Sequence, residues 1–190
     1  MQVSDFMPSV ELMAPDAEPL QLQEAIRHAV VRFMTESQVF TAYWTIPVQE
    51  CVDEYFIDLP ECRRLVGIIG VTRNGTPFDN WARDDHEDVI KLFDQPGPCD
   101  CFEMKYSWKI GRDDCEIPDK LYEDYLPAVQ QAALATLHSM FGTAVVSASR
   151  AAVAEAKYQD ILADVKGRKV FNFSHSRPRM HRRRGHRSVW

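Results

Sequence analysis

The order of hydrophobic periodicities along the chain constrains its fold more strongly than any single motif does. Apolar residues recur at helical spacing over about 20–36, alternate as in strands over about 39–112, and return to helical spacing after Pro118. These patterns predict helices at about 20–36, 118–141 and 144–166 around a small antiparallel sheet or partly open barrel. The expected fold class is therefore α+β and mainly helical: a helical bundle with an inserted small antiparallel β-module and an extended basic C-terminal tail.

Proline and glycine residues mark the expected helix boundaries. Pro19 lies where a first helix can begin, because the first turn of a helix does not use that N–H group. Pro127 predicts a kink or a restart inside the second long helix. Gly142 and Gly167 predict the ends of the second and third long helices.

Five segments of the middle section carry strand signals. Each is rich in β-branched or aromatic residues or alternates in polarity. Asn74-Gly75 favours a tight hairpin, since both residues accept positive φ values, and Gln95-Pro96-Gly97-Pro98 is a second turn signal. The five segments are 39–48, 53–59, 65–72, 89–93 and 102–110.

The last twenty residues differ from the rest of the chain in charge. The chain holds 22 Lys and Arg against 28 Asp and Glu, and six arginines but no acid fall within 171–190. We call 171–190 the basic arm; it carries a charge of about +6, and the single domain expected over 1–170 carries about −12. A solvated, disordered terminus is one interpretation. A docking arm for a protein groove or for nucleic acid is the other, and the terminal Trp190 favours it.

Composition limits the class of protein further. With 45% hydrophobic residues the body can bury a core. The sequence has no stretch of eighteen apolar residues and no basic-then-apolar start typical of a signal peptide. Five cysteines without a secretion signal predict free thiols. We expect a soluble protein, made in the cytoplasm, with no membrane partner.

No sequence motif predicts an enzyme. The nucleophile-elbow, Walker and dinucleotide-binding glycine patterns are absent from the sequence. Cys99-Asp100-Cys101 has the spacing C-x-C rather than that of a zinc-binding pair, so structural thiols are favoured over a metal site. The acidic runs at 84–88 and 113–116 are typical of solvated loops. We expect no catalytic, cofactor-binding or metal-binding residues.

Four segments together resemble the head-to-tail adaptor proteins of tailed bacteriophages, also called connector or head-completion proteins. The first, 25–37, is similar to the opening helix of that family. The strand at 54–60 and the strand and turn at 65–75 follow. The last, 117–142, is similar to the late helix that precedes an alanine-rich one. The resemblance covers roughly 20–168 and rests on the order of elements rather than on one invariant motif.

The resemblance implies a structural virion protein at the neck, the head-tail junction. It implies a homo-oligomeric ring, usually a dodecamer, that joins the portal protein to a tail or nozzle/terminator protein. The ring continues the DNA channel, so its contact with genomic DNA is transient. The C-terminal segment of the family docks against the portal. The residues of this chain in that position are Arg177, Arg179, His181, Arg182, Arg183, Arg184, His186, Arg187 and Trp190.

The same arm supports an alternative function, that of a nucleic-acid-binding protein. Six arginines can bind phosphate groups and release counterions. The acidic body opposes this interpretation, because it repels duplex DNA except where the arm extends past it. The two functions predict different salt dependence, which is steep for phosphate binding and weaker for a dock anchored by Trp190.

Overall fold

The fold consists of a helical layer and a β-layer, each built around its own hydrophobic core. We describe it from a computed structural model. Side chains are described as far as Arg168, and the backbone of 169–174 is described as helical. The described residues are 1–49, 52–84, 88–94, 96–97, 99–111, 116–140 and 146–174.

The helical layer contains four α-helices in the described part of the chain, preceded by a 3₁₀ turn at Val3–Asp5. Its core joins Phe6, Phe33, Val129 and Tyr158, all fully buried. Such a core forms because each helix presents one apolar stripe. The helices are α1 (Met7–Glu11), α2 (Pro19–Ser37), α3 (Asp119–Ser139) and α4 (Ala148–Ser174).

Helix α2 extends one residue beyond each end of the expected helix at 20–36. Pro19 occupies its first turn, as its position in the sequence predicts. The helix ends at Gln38, which adopts a left-handed conformation with φ 51° and donates its N–H to the Met34 carbonyl. The predicted apolar stripe is buried: Leu22, Ala25, Ile26, Ala29, Val30 and Phe33.

The single long helix expected at about 118–141 is confirmed without a restart at Pro127, whereas the helix end expected at Gly167 does not occur. Helix α3 continues through Pro127 as one helix, since residues on both sides of it are buried and the lost N–H removes one hydrogen bond. Helix α4 continues past Gly167 to Ser174, because a glycine inside a helix costs only about 1 kcal/mol. Its start is also later than predicted. The Ser147 hydroxyl accepts the Arg150 N–H at 3.4 Å and caps the first turn.

The middle of the chain forms seven strands in two antiparallel sheets, counted among the described residues. One sheet has the order β1-β7-β3-β4, and the other has the order β2-β6-β5. The strands are β1 (Thr41–Ile46), β2 (Glu54–Phe56), β3 (Arg63–Arg73), β4 (Thr76–Phe78), β5 (Trp81–Asp84), β6 (Val89–Leu92) and β7 (Phe102–Ile110).

The two sheets share a second hydrophobic core, separate from that of the helices. Val71 and Met104 come from the four-stranded sheet, and Tyr55, Ile90 and Leu92 come from the three-stranded sheet. The expected class, a mainly helical bundle with a small inserted β-module, is therefore wrong. The chain is an α+β protein, because the two sheets have a hydrophobic core of their own and form a separate layer beside the helices.

Strands β4 and β5 are the two strands that the sequence did not predict. β4 contains Pro77, which is tolerated because this strand lies at the edge of its sheet. The hairpin that leads into β4 was predicted and is confirmed, with φ 52° at Asn74 and 76° at Gly75. The turn expected at 95–98 lies partly outside the described residues.

Phe40 and Trp108 connect the two cores. Their ring centroids lie 5.9 Å apart in an edge-on arrangement, and the backbone N–H of Trp108 donates to the backbone carbonyl of Phe40 at 3.0 Å. The Arg63 guanidinium lies 4.3 Å from the centre of the Trp108 ring. Tyr125 of α3 extends the aromatic contact to the helices. The helical layer and the β-layer are thereby fixed to each other.

Candidate interaction surfaces

The first four residues of the basic arm, 171–174, belong to the end of helix α4, and the rest of the arm follows the helix in sequence. The nine residues predicted to dock, from Arg177 to Trp190, lie outside the described residues. The structure does describe the helix that carries them, which reaches Ser174. The anchoring of α4 therefore determines where the arm leaves the body.

Helix α4 is anchored by a buried stripe over its first five turns. Ala154, Tyr158, Leu162 and Val165 are buried against α2 and α3. Tyr158 is fully buried, and burial of a large side chain of this kind stabilises the fold by about 1.5–3 kcal/mol. The helical backbone continues nine residues past Val165 to Ser174, which adds about 13 Å.

A polar cluster, defined as Arg32, Glu36, Glu155, Tyr158 and Gln159, joins α2 to α4. The two terminal nitrogens of Arg32 donate to the two carboxylate oxygens of Glu155 at 2.6 and 2.8 Å. The Arg32 Nε donates to Glu36 at 2.9 Å, and the Tyr158 hydroxyl donates to the other Glu36 oxygen at 2.9 Å. Gln159 donates to Glu155 at 2.8 Å. The Arg32 guanidinium also lies 4.5 Å from the centre of the Tyr158 ring.

These contacts move the pKa values of Glu155, Tyr158 and Arg32 away from neutrality. The hydrogen bonds from Arg32 lower the pKa of Glu155 to about 2. Burial, followed by its hydrogen bond to the Glu36 carboxylate, raises the pKa of the Tyr158 hydroxyl. The hydrogen bond to Glu155 is the main reason that the pKa of Arg32 is raised.

The polar cluster therefore contains the residue types of an acid–base site, but the pKa values of Glu155, Tyr158 and Arg32 do not suit proton exchange at neutral pH. A general acid or base works best with a pKa near the working pH. At neutral pH, Glu155 is ionised, Tyr158 keeps its proton and Arg32 is charged, and each is held by a partner. The arrangement stabilises the position of α4 rather than exchanging protons.

A charged cleft lies between the C-terminal half of α4, the start of α3 and the four-stranded sheet. Its volume is about 550 Å³. Lys105, Lys120 and Arg168 contribute cations to its wall, and Asp124 and Asp164 contribute carboxylates. Arg168 donates to Asp164 at 2.7 Å, so part of this charge is neutralised within α4. The cleft lies beside the part of α4 that leads to the basic arm.

A second depression, which we call the apolar groove, lies at the other end of α4. Its walls include Met13, Leu134 and Val153, with Arg150 and Lys157 at its rim, and its volume is about 280 Å³. The Val153 side chain is 55% exposed although it is apolar. An exposed apolar surface bordered by charge is typical of a protein-binding site.

Asp100 closes the tip of the predicted hairpin. Its carboxylate accepts hydrogen bonds from the Arg73 guanidinium, the Asn74 side chain and the Gly97 N–H. The hydrogen bond from Arg73 is the main cause that lowers the pKa of Asp100 to about 2. The carboxylate in the C-x-C motif is thus part of a turn.

The three cysteines that the structure describes are of two kinds. Cys99 and Cys101 are free and exposed. Cys62 is disulfide-bonded, so the expectation of free thiols is wrong at this position. Among the described residues there is no group of three or more His, Cys, Asp or Glu side chains that could hold a metal ion.

Comparison with models of known protein families and with curated protein sequences finds no match. Within the described part of the chain, no helix combines the length and the apolar character needed to cross a membrane. The interpretation of function therefore depends on the geometry of this chain and on the resemblance in its sequence.

Sequence reasoning missed the polar cluster and the apolar groove for different reasons. The Arg32–Glu36 pair is visible at a spacing of four residues, but Glu155 is 123 residues from Arg32 and no local pattern links them. The groove combines α3 and α4 with Met13 from the segment after α1. Val153, an apolar residue that lies outside the buried stripe of α4, is the sequence signal for this groove.

Proposed function

We propose that this protein is a subunit of the adaptor ring between the portal and the tail of a tailed bacteriophage, and that its basic arm docks onto the portal. The observation that carries the proposal is the anchoring of α4. The arm, with a charge of about +6, follows a helix that is fixed in the core of a body with about −12. The sequence resemblance supports the same assignment.

An anchored helix favours docking by a short arm. Buried residues as far as Val165 hold α4 to the body, so the start of the arm is already positioned before it binds. Ordering a chain segment on binding costs conformational entropy, and a fixed root limits that cost to the arm. Arginine and tryptophan are the residues most enriched at interface hot spots, and the arm contains six arginines and Trp190.

The acidic body suits a channel through which DNA passes. Residues 1–170 carry 16 basic and 28 acidic residues, since six of the 22 basic residues lie in the arm. A negative wall repels phosphate and limits adhesion of the moving duplex. A body designed to hold DNA would carry the opposite excess of charge.

Co-sedimentation with the portal ring encoded by the same genome tests the proposal. The full-length protein is compared with a version that ends at Ser174, which keeps α4 complete. We expect the full-length protein to sediment with the portal and the shortened version to remain in the supernatant. Equal sedimentation of both versions, or of neither, would overturn the proposal.

Two full-length variants separate a specific dock from general attraction between charges. Trp190→Ala removes the predicted anchor and should weaken binding by about tenfold or more, as expected for a hot-spot residue. An arm of the same composition in scrambled order keeps the charge and should also bind weakly. Equal binding by the scrambled arm would contradict a specific dock.

The alternative function, nucleic-acid binding, gives a different result in the same assay with duplex DNA in place of the portal. Six arginines on phosphates predict a logarithmic salt dependence with a slope of about −5. Tight binding of DNA with such a slope, and no binding of the portal, would support the alternative and exclude the adaptor.

A further inference from the structure

The outer face of the three-stranded sheet carries two exposed aromatic side chains. Phe56 is 77% exposed and Phe93 is 56% exposed. Tyr55, between Glu54 and Phe56, is buried in the core, so the alternation of a strand directs Phe56 outward. We call this surface the aromatic face.

The register of the sheet places both phenylalanines on this face. Phe56 lies opposite Val89, and Glu54 lies opposite Lys91. Phe93 follows Lys91 by two residues, and its N–H donates to the Asn80 carbonyl at 3.0 Å, which continues the ladder of β5 and β6. Phe93 lies four positions after Val89, so the two aromatic side chains lie about 13 Å apart along the sheet.

Carboxylates surround the aromatic face. Two cations offset part of this charge: Lys91 contacts Glu54 at 2.8 Å and Asp53 at 3.6 Å, and Arg83 contacts Asp88 at 3.3 Å. Glu54 and Asp58 are exposed two positions on either side of Phe56, so carboxylates border this side chain. The exposed acidic residues on and beside β2, β5 and β6, among those that the structure describes, are Asp53, Glu54, Asp58, Asp79, Asp84, Asp88 and Asp94.

The apolar groove at the start of α4 has the opposite character. Its exposed apolar walls include Met13 and Val153, and its rim carries Arg150 and Lys157. None of the described residues that line it is acidic. A surface that offers exposed aromatic side chains among carboxylates complements this groove in both polarity and charge.

We propose that the aromatic face of one copy docks into the apolar groove of the next copy, with Phe56 as the anchor. The carboxylates around Phe56 then face Arg150 and Lys157 of the neighbouring copy. Because the two surfaces differ and lie on different layers of one molecule, the contact is heterologous, and its repetition builds a ring when the rotation closes. The inference rests on the proposed function, since an adaptor ring requires a head-to-tail contact, but it does not involve the basic arm.

Cross-linking from position 56 tests which surface the aromatic face meets. A benzophenone amino acid replaces Phe56 in the full-length protein, which is irradiated at high concentration and in the presence of the portal ring. We expect cross-linked dimers whose second site maps to Met13 or to residues 131–157. Cross-links that map elsewhere, or the absence of cross-linked dimers under both conditions, would overturn the proposal.

Two variants test whether the contact is heterologous. Each variant removes one of the two surfaces. Phe56→Ser removes the anchor, and Val153→Asp places a charge in the groove; both positions are exposed, so neither change affects a core. Each variant alone should associate about tenfold more weakly than the unchanged protein. Their mixture should form heterodimers that do not grow further, as measured by cross-linking and sedimentation velocity.

Tyr43→Ser and Ala163→Asp are the matched controls. Tyr43 is an exposed aromatic residue on the other sheet, and Ala163 is exposed on α4 outside the groove. Both should associate like the unchanged protein. Normal association of Phe56→Ser would indicate a contact between identical grooves and overturn the proposal.

The two proposals fail separately. If portal binding is absent but the cross-link from position 56 to the groove forms, the adaptor function fails and the contact between copies stands. If the arm is required for portal binding but the cross-link maps outside the groove, the adaptor function stands and this contact is wrong.

Discussion

Arg32 and Glu155 lie 123 residues apart in the chain and meet through two parallel N–H···O hydrogen bonds of 2.6 and 2.8 Å. This fork geometry is the strongest form of a charge-assisted hydrogen bond. It joins the first long helix to the last and adds a polar contact to the buried stripe that anchors α4. The pair therefore helps to hold the helix that leads to the basic arm.

Glu155→Gln should lower the free energy of unfolding by about 1 kcal/mol. The substitution keeps the shape of the side chain but removes the charge that both Arg32 nitrogens contact. The effect remains modest because the Glu155 side chain is 38% exposed and water screens the pair. Urea denaturation monitored by circular dichroism measures the change.

The Asp164–Arg168 pair on α4 provides the control for this prediction. Its two side chains are 59% and 76% exposed, and both belong to the same helix. Asp164→Asn should therefore change the free energy of unfolding by less than about 0.5 kcal/mol. An equal loss in both variants would show that Glu155 acts only as a surface charge of α4.

At acid pH, the unchanged protein should lose its higher free energy of unfolding relative to Glu155→Gln. The pKa of Glu155 is lowered from its ordinary 4.5 to about 2 in the folded state. A lowered pKa contributes stability that is present above about pH 4.5 and is lost as the pH falls towards 2. Denaturation curves of the two proteins at a series of pH values should converge over this range. A gap that stays constant down to about pH 2 would contradict the assignment.

The parts of the fold that were predicted are those with local signals. The burial stripe of α2, the bounds of β7 and the Asn74-Gly75 turn each follow from residues within one element. Helical periodicity, strand alternation and turn chemistry all act within about 18 residues of the chain or fewer. These signals locate elements, but they do not state how the elements assemble.

The fold class was predicted wrongly because the sequence did not show how the strands assemble into sheets. β4 and β5 have three and four residues, which are too few for an alternation to be recognised. In addition, Pro77 in β4 argues against a strand there. Without these two strands the middle section predicted one small sheet rather than two sheets packed around Val71, Ile90 and Phe102. The same limit hid the Arg32–Glu155 pair, since long-range pairing leaves no pattern in one sequence.

Tyr158→Phe tests the part of the polar cluster that lies deepest. The ring is fully buried and remains in place, while the hydroxyl that donates to Glu36 at 2.9 Å is removed. The loss of one hydrogen bond to a charged group should cost about 1.5–3 kcal/mol. Tyr158→Ala removes the ring as well and should cost about 3–5 kcal/mol. Thermal and urea denaturation of both variants measure the two contributions, and equal losses would show that the hydroxyl alone matters.

Gly75→Ala tests the hairpin that the sequence predicted. Gly75 has φ +76° and no atom within 4 Å of the position that a Cβ would occupy, so the effect of alanine is conformational rather than steric. An alanine in this left-handed region costs roughly 1–2 kcal/mol. The free energy of unfolding should fall by that amount, as measured by urea denaturation.

Gly70→Ala is the matched control, because Gly70 lies in β3 with equally open space but without a positive φ. Alanine there restricts the unfolded chain and does not strain the strand, so stability should stay the same or rise by about 0.5 kcal/mol. The difference between the two variants isolates the backbone conformation of the turn. A loss at Gly70 that equals the loss at Gly75 would show that the left-handed turn is not the cause.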